Sequence, residues 1–406
     1  MLNEQNKHSW CVNAEHAMSA NNNGTTKICC MIKNEEIMAL GENTIQENFQ
    51  KIEFVKIRED LQNGIRHKDC RWCWQEEENG RKSKRLRDNE KYIGHLEAGG
   101  EPFQGLAKFE LNLGNTCNLR CRTCAPHSSS QWMKEYFDLY EAKNYDNDYK
   151  KYSIQMKRYH QTYDDESPFW DDLVNNLSTV KQFDFYGGEP FMSKKMWAVL
   201  EMAVDQGYAK DIELHYATNG TQWPKDKVEI FKHFRHLNLN FSIDGVGEHF
   251  EFMRYPATWS EAQENMEYAR EFKKTHHNMQ LSWCSTLSTL NIYNLPDLLD
   301  EFYKTYANDF GIYLNLVHGP IHYNISKLPK SVREAVVARL EKIPKEYENI
   351  WWHYLPGIIN FINSGEYEED VWRRFKITTL RHDDYRNQNF AKTFPEFAKI
   401  IGTDNE

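Results

Sequence analysis

The chain has 406 residues, 40% of them hydrophobic and 14% aromatic, enough for one large domain with a smaller companion. Charged residues make up 27% and the net charge is -10, a balance that repels a phosphate backbone and argues against a nucleic-acid substrate. No run approaches the ~20 apolar residues that cross a bilayer, and the start has no apolar signal core, so a cytoplasmic protein with reduced thiols is expected.

Residues 1 to about 90 have their own texture and are read as a separate small module. Residues 10–33 suggest a hairpin turned at Asn21-Asn-Asn-Gly24, and the stripe through Ile45, Phe49, Ile52 and Leu61 suggests a helix. Four cysteines punctuate this stretch: Cys11, Cys29, Cys70 and Cys73. Four thiolates suit a complete iron-sulfur ligand set or a tetrahedral zinc site. Cys30, beside Cys29, points to the opposite face of an extended strand and is a spare or alternate ligand. The basic run Arg81–Arg87 is read as a solvated connector, with contact to an anionic substrate or partner as the alternative.

After a linker at 91–106, residues 107–325 alternate strands and helices, the pattern of parallel sheet with crossover helices. Strands are expected at 107–113, 182–186, 212–217, 237–243, 279–286 and 312–317. Amphipathic helices are expected at 194–204, 225–234, 260–274 and 295–306. Residues 125–181 exceed what a simple crossover needs and read as a tyrosine-rich helical insertion, or as a lid that shapes the substrate site. In such architectures ligands sit at the carboxyl ends of the strands. Several of those ends carry chemistry: Cys117, Cys121 and Cys124 after the first strand, Gly187-Gly188-Glu189-Pro190 after the second, Thr218-Asn219-Gly220 after the third and Ser242-Ile-Asp244-Gly after the fourth. Residues 326–406 form a C-terminal helical extension for which the sequence suggests no chemical role.

Three thiolates on one tight loop suit three irons of a [4Fe-4S] cube and leave the fourth iron open. The ordered motifs, Cys-x3-Cys-x2-Cys followed by Tyr-Gly-Gly-Glu-Pro, resemble the radical S-adenosylmethionine superfamily. The resemblance implies a partial (β/α)6 barrel of the TIM type preceded by a small α+β twitch-like iron-sulfur module. It implies S-adenosylmethionine chelated at the open iron, cleaved reductively to start hydrogen abstraction from a substrate carbon, with a flavodoxin- or ferredoxin-like electron donor. Gly187, Gly188, Glu189, Pro190, Asn219, Ser242, Asp244 and Arg254 then fall at cofactor-contacting positions, with Glu189 on the ammonium group and Arg254 on the carboxylate.

Cys11, Cys29, Cys70 and Cys73 resemble the ligand framework of SPASM and twitch modules, which implies a second [4Fe-4S] cluster, here placed ahead of the barrel rather than behind it. Thr123 departs from the family, whose aromatic residue at that place packs near the adenine. Cys284 reads as a small buried residue, and His215, His318 and His322, near strand ends, as structural side chains, with a role as acid, base or substrate contact as the alternative. The expected reaction is net oxidation or bond formation on a peptide or a small polar molecule. The competing reading is a non-enzymatic iron-sulfur or zinc-binding interaction protein.

Overall fold

The computed structural model describes residues 3–32, 37–39, 42–78, 82–159, 161–347 and 355–403. Two compact units divide the chain. The first comprises Met1–Cys117, Ser153–Tyr216 and Lys225–Leu237, and the second Asn118–Tyr152, Ala217–Pro224 and Asn238–Glu406.

All six expected barrel strands form: β4 (Lys108–Asn112), β5 (Gln182–Tyr186), β6 (Glu213–Thr218), β7 (His236–Ser242), β8 (Met279–Leu287) and β9 (Phe310–Leu316). Three short strands precede them, β1 (Ala17–Ala20), β2 (Thr25–Lys27) and β3 (Ile37–Ala39). Within the first unit the order is β3-β2-β1-β4-β5-β6. β1 runs antiparallel to β2 as the hairpin signal at Asn21–Gly24 requires, yet it also pairs in parallel with β4, Ser19 opposite Glu110. The hairpin therefore extends the sheet. β4, β5 and β6 are parallel, with Glu110, Asp184 and His215 in line across them. In the second unit the order is β7-β8-β9, with β8 and β9 parallel over seven residue pairs from Leu281/Phe310 to Leu287/Leu316.

Strand alternation gives the first unit's sheet two unlike faces. Phe109, Leu111, Phe183, Phe185, Leu214 and Tyr216 are fully buried on one face, where Tyr216 meets Phe191 and its hydroxyl reaches Met196 of helix Lys194–Asp205. Each such side chain contributes about 1.5–3 kcal/mol of burial. The other face carries Lys108, Glu110, Asp184 and His215, and helix Lys84–Glu97 supplies the charges that complete it. Lys84 lies 2.8 Å from Glu110 and 3.1 Å from Asp88, and Lys108 lies 3.2 Å from Asp88 and 3.4 Å from Asp184. The basic run is thus solvated only in part: Lys82 and Arg87 are exposed, but Arg85 is also buried, on Glu77 and the Trp10 carbonyl, while Arg81 lies outside the described residues. Helix Lys84–Glu97 runs across the boundary expected at residue 90.

Other departures have local causes. Residues 12–16 are not extended: helix Val12–His16 forms, and Trp10 and Val12 pack with Tyr92. The helix expected from Ile45 to Leu61 is two, Ile45–Phe49 and Ile52–Gln62, with Arg58 donating to the Phe49 carbonyl at the break. Val228, Phe231 and Phe234 are buried at a spacing of three, the repeat of a 3₁₀ helix, and Val228–His233 adopts that form rather than α. Helix Leu295–Glu301 widens into a π turn over Phe302–Tyr306, and both Phe302 and Tyr306 reach Trp283 on β8.

Candidate active site and its cysteine sets

In the first unit β4 feeds the segment Leu113-Gly-Asn-Thr-Cys117, and β5 feeds Gly187-Gly-Glu189. The two segments run side by side. Leu113 N–H donates to the Tyr186 carbonyl at 2.9 Å, Gly188 N–H to Gly114 at 3.1 Å and Glu189 N–H to Thr116 at 2.8 Å. This approach needs both glycines. Gly187 has φ +115°, and a Cβ there would lie 2.5 Å from the Leu113 nitrogen; at Gly188 it would lie 2.1 Å from the Thr116 carbonyl oxygen. Glu189 is buried and its carboxylate caps the turn Pro190–Met192 through Phe191 N–H at 3.3 Å. Cys117 is buried next to this junction in the chain.

In the second unit the other two loop cysteines are pinned by a short backbone pairing. Arg120 N–H donates to Tyr255 at 2.6 Å and Arg122 N–H to Met253 at 2.8 Å, so Cys121 stands opposite Arg254. Arg254 Nη1 is 3.9 Å from the Cys121 Sγ, and its Nη2 is 2.7 Å from Asp244 Oδ2. Asp244 Oδ1 accepts from Thr286 N–H at 2.8 Å, which fixes the carboxylate that fixes the arginine. The Cys121 thiol is held down to about 7, chiefly by its hydrogen bond with Cys124 and then by the Arg254 and Arg386 charges, against the upward push of burial. Burial alone would lower Arg254, but Asp244 and the two thiols raise it further.

Ser242 is half-buried at the end of β7. Asn219 is buried and its amide serves the loop itself: Nδ2 donates to Asn118 Oδ1 at 2.8 Å, and Oδ1 accepts from the Thr221 N–H and hydroxyl. Asn118 in turn donates to Thr221. Sequence reading did not single out Asn118, although it sits between the first two loop cysteines. The signal available was an Asn on each side of a tight turn.

Cys11, Cys29, Cys70 and Cys73, separated by up to 62 positions, line one cavity with Asn13, Trp74 and Arg85. Cys11, Cys29 and Cys70 pack against an apolar cluster that includes Ile28, Ile32, Phe54, Ile57 and Leu61. Burial pushes Cys11 and Cys70 up to about 12, reinforced by neighbouring thiols, and raises Cys73. A bound cation would reverse that. Among the described residues, Cys29, Cys30 and Glu110 are the only three potential ligands with atoms all within 4.8 Å. Cys30 donates its N–H to Glu110 Oε2 at 3.0 Å.

Cys284 is half-buried on β8, and burial raises its thiol to about 11. Burial lowers His215 and takes His322 down to about 4. His318 packs its ring on Phe361 at 5.5 Å.

Several solved structures resemble the chain. Streptococcus suis SuiB bound to S-adenosylmethionine matches at 12% identity and TM-score 0.35, over 73% of this chain and 57% of that one. SuiB bound to the precursor peptide SuiA matches at 13% and 0.31, over 77% and 56%. Native anSMEcpe with bound AdoMet matches at 14% and 0.36, over 63% and 61%. The chain thus spans less than two thirds of each of these proteins. No curated protein matches it. The model of the Radical SAM superfamily matches residues 111–301, which hold the cysteine loop, the Gly-Gly-Glu turn, Asp244 and Arg254. Residues 111–301 thus carry a Radical SAM domain.

Proposed function

We propose that Cys117, Cys121 and Cys124 hold a [4Fe-4S] cluster with one open iron for S-adenosylmethionine, and that Cys11, Cys29, Cys70 and Cys73 hold a second cluster with a full protein ligand set. The donor chemistry fits: buried and half-buried thiols, one of them held acidic beside a guanidinium, and four more around one cavity. When bound, the first cluster and its cofactor supply one-electron reductive cleavage that begins hydrogen abstraction from a substrate carbon. The chain's own residues position that chemistry. Gly187 and Gly188 let the backbone close up, Glu189 offers a buried carboxylate for the cofactor's ammonium, and Pro190 opens the turn that Glu189 caps. Arg254, braced by Asp244, holds a cation beside Cys121 for the cofactor's carboxylate, and Ser242 shares that rim. Asn219 acts by holding Asn118 and thus the loop between Cys117 and Cys121.

The observation that carries this reading is the hydrogen-bonded junction of two distant motifs, Gly188 on Gly114 and Glu189 on Thr116, closed so tightly that a methyl group at either glycine collides with backbone. A closed auxiliary set suits electron transfer, which directs the reaction toward net oxidation or bond formation on a peptide or a small polar molecule. A flavodoxin- or ferredoxin-like donor in a reducing cytoplasm completes the proposal. No helix among the described residues is long and apolar enough to cross a membrane. We assign residues 1–90 to the twitch-like module, 91–106 to its connection, 107–325 to the partial barrel and 326–406 to the extension.

The test is electron paramagnetic resonance of anaerobically reconstituted, reduced protein with and without S-adenosylmethionine. Two cluster signals are expected, of which the cofactor perturbs one, and Cys124→Ala removes that one alone. A colourless protein that takes up zinc and ignores the cofactor overturns the reading in favour of a metal-stabilised interaction protein.

A further inference from the structure

Helix Glu369–Arg386 buries Phe375, Thr378, Thr379, His382, Asp383 and Arg386. The spacing is helical, so these residues form one stripe, but only the first is apolar. Burying a threonine pair, a histidine, an aspartate and an arginine on one stripe is costly unless each finds a partner. The partners lie on the cysteine loop and the helix that follows it.

Arg122, fully buried with its guanidinium 3.9 Å over the Phe252 ring, donates to Asp383 Oδ1 at 2.5 Å, to the Thr379 carbonyl at 3.2 Å and to Gln388 Oε1 at 2.8 Å. Arg386 Nε donates to both oxygens of Glu135, at 2.9 and 3.1 Å, and neither side chain has any exposed surface. Glu135 also accepts from Arg120 at 3.3 Å. The residues on both sides of Cys121 are thereby tied to this one helix, Arg122 directly and Arg120 through Glu135. Between them Trp132 donates its indole N–H to the Cys121 carbonyl at 2.9 Å, with the Arg386 guanidinium 4.5 Å over its ring and 5.3 Å from that of Tyr255. Both terminal nitrogens of Arg386 lack a hydrogen-bond partner, so Glu135 engages only one edge of the cation.

We propose that helix Glu369–Arg386 is the electrostatic backing of the cysteine loop, and that Arg386 and Glu135 are positioning residues that set how readily a cluster on that loop accepts an electron. The inference rests on the cluster assigned above to Cys117, Cys121 and Cys124. A buried cation near a cluster favours its reduced form, and a buried anion opposes it. Arg386→Met removes the buried cation and leaves Glu135 with Arg120 alone, so reduction becomes harder. Glu135→Gln leaves Arg386 uncompensated, so reduction becomes easier.

The experiment is a redox titration of full-length reconstituted protein, followed by electron paramagnetic resonance of the loop cluster. At fixed applied potential the reduced-to-oxidised ratio is expected to fall about tenfold in Arg386→Met and to rise about tenfold in Glu135→Gln, each ~59 mV for a one-electron couple. Arg386→Lys, which keeps the charge, stays close to wild type, and the signal of the N-terminal cluster moves in none of the three. A helix that only stabilises the fold would lower thermal midpoints without opposite shifts. Shifts of the same sign, or none with the loop cluster intact, overturn the proposal. If Arg386→Met does not fold, the Glu135→Gln arm decides alone, since a downward or absent shift there contradicts the same sign. Wild-type protein that builds no cluster on the loop overturns the underlying assignment and this proposal with it, an outcome distinct from unmoved potentials.

Discussion

Cys11 and Cys70 have thiols pushed up to about 12 by burial, while Cys121, no less enclosed, is held down to about 7 by Cys124 and by arginine. Each region has an arginine, and the two are used differently. Arg85 beside the N-terminal set spends Nε and Nη2 on Glu77 and Nη1 on the Trp10 carbonyl. Arg254 gives Nη2 to Asp244 and keeps Nη1 against the Cys121 sulfur. One cation is consumed by the scaffold and the other still faces the reactive group. The first arrangement suits a closed cluster that nothing else enters. The second suits a site where an anionic ligand arrives and leaves, because a partly paired guanidinium retains affinity for a carboxylate.

The sharpest way to break this contrast is to delete one set at a time. Cys70→Ala should lose about four of about eight irons and keep the signal that S-adenosylmethionine perturbs, whereas Cys121→Ala should show the reverse. Iron analysis with spectroscopy reads both. If either substitution removes all the iron, the two regions are not independent sites. Asp244→Asn comes next. Removing the charged partner of buried Arg254 should cost ~3 kcal/mol of stability, measured by denaturant unfolding of the metal-free protein, and weaken cofactor binding. Gly188→Ala forces a methyl group to 2.1 Å from the Thr116 oxygen, and overpacking of this kind should cost ~1–3 kcal/mol in the same assay.

The smallest effect is in pH. In metal-free protein Cys121 lies below the ordinary thiol value of 9.0, so its contribution is fully present above pH 9 and is lost as pH falls through about 7. Cys11 and Cys70 lie above that value, so their contribution is present below pH 9 and disappears as pH rises toward about 12. Unfolding free energy should therefore rise from pH 7 to 9 in the parent and stay flatter in Cys121→Ser. A slope that survives the substitution removes Cys121 as its source.

Much of this was legible in the sequence because it is local. The six expected strands announce themselves as alternating leucine and aromatic positions, most of them followed by Gly or Asn turns, and the structure moves their ends by a few residues at most. The cysteine spacings and the Gly-Gly-Glu turn are likewise short strings. What stayed hidden depends on partners far along the chain. Lys84 reads as part of a soluble basic run until β4 places Glu110 beside it. β1 reads as half of an isolated hairpin until its outer edge finds β4. Nothing near Arg122 announces Asp383, 261 positions away, and nothing in the stripe of helix Glu369–Arg386 says that its polar residues face inward. Polar patterning reports solvent by default, and a buried ionic network is invisible until both halves are placed.

The most direct test of the central claim is formation of 5′-deoxyadenosine by the anaerobically reconstituted, reduced protein given S-adenosylmethionine, with Cys117→Ala alongside. Product is expected from the parent and none above background from the variant. Protein with both sets of iron in place that neither binds the cofactor nor cleaves it would contradict the account.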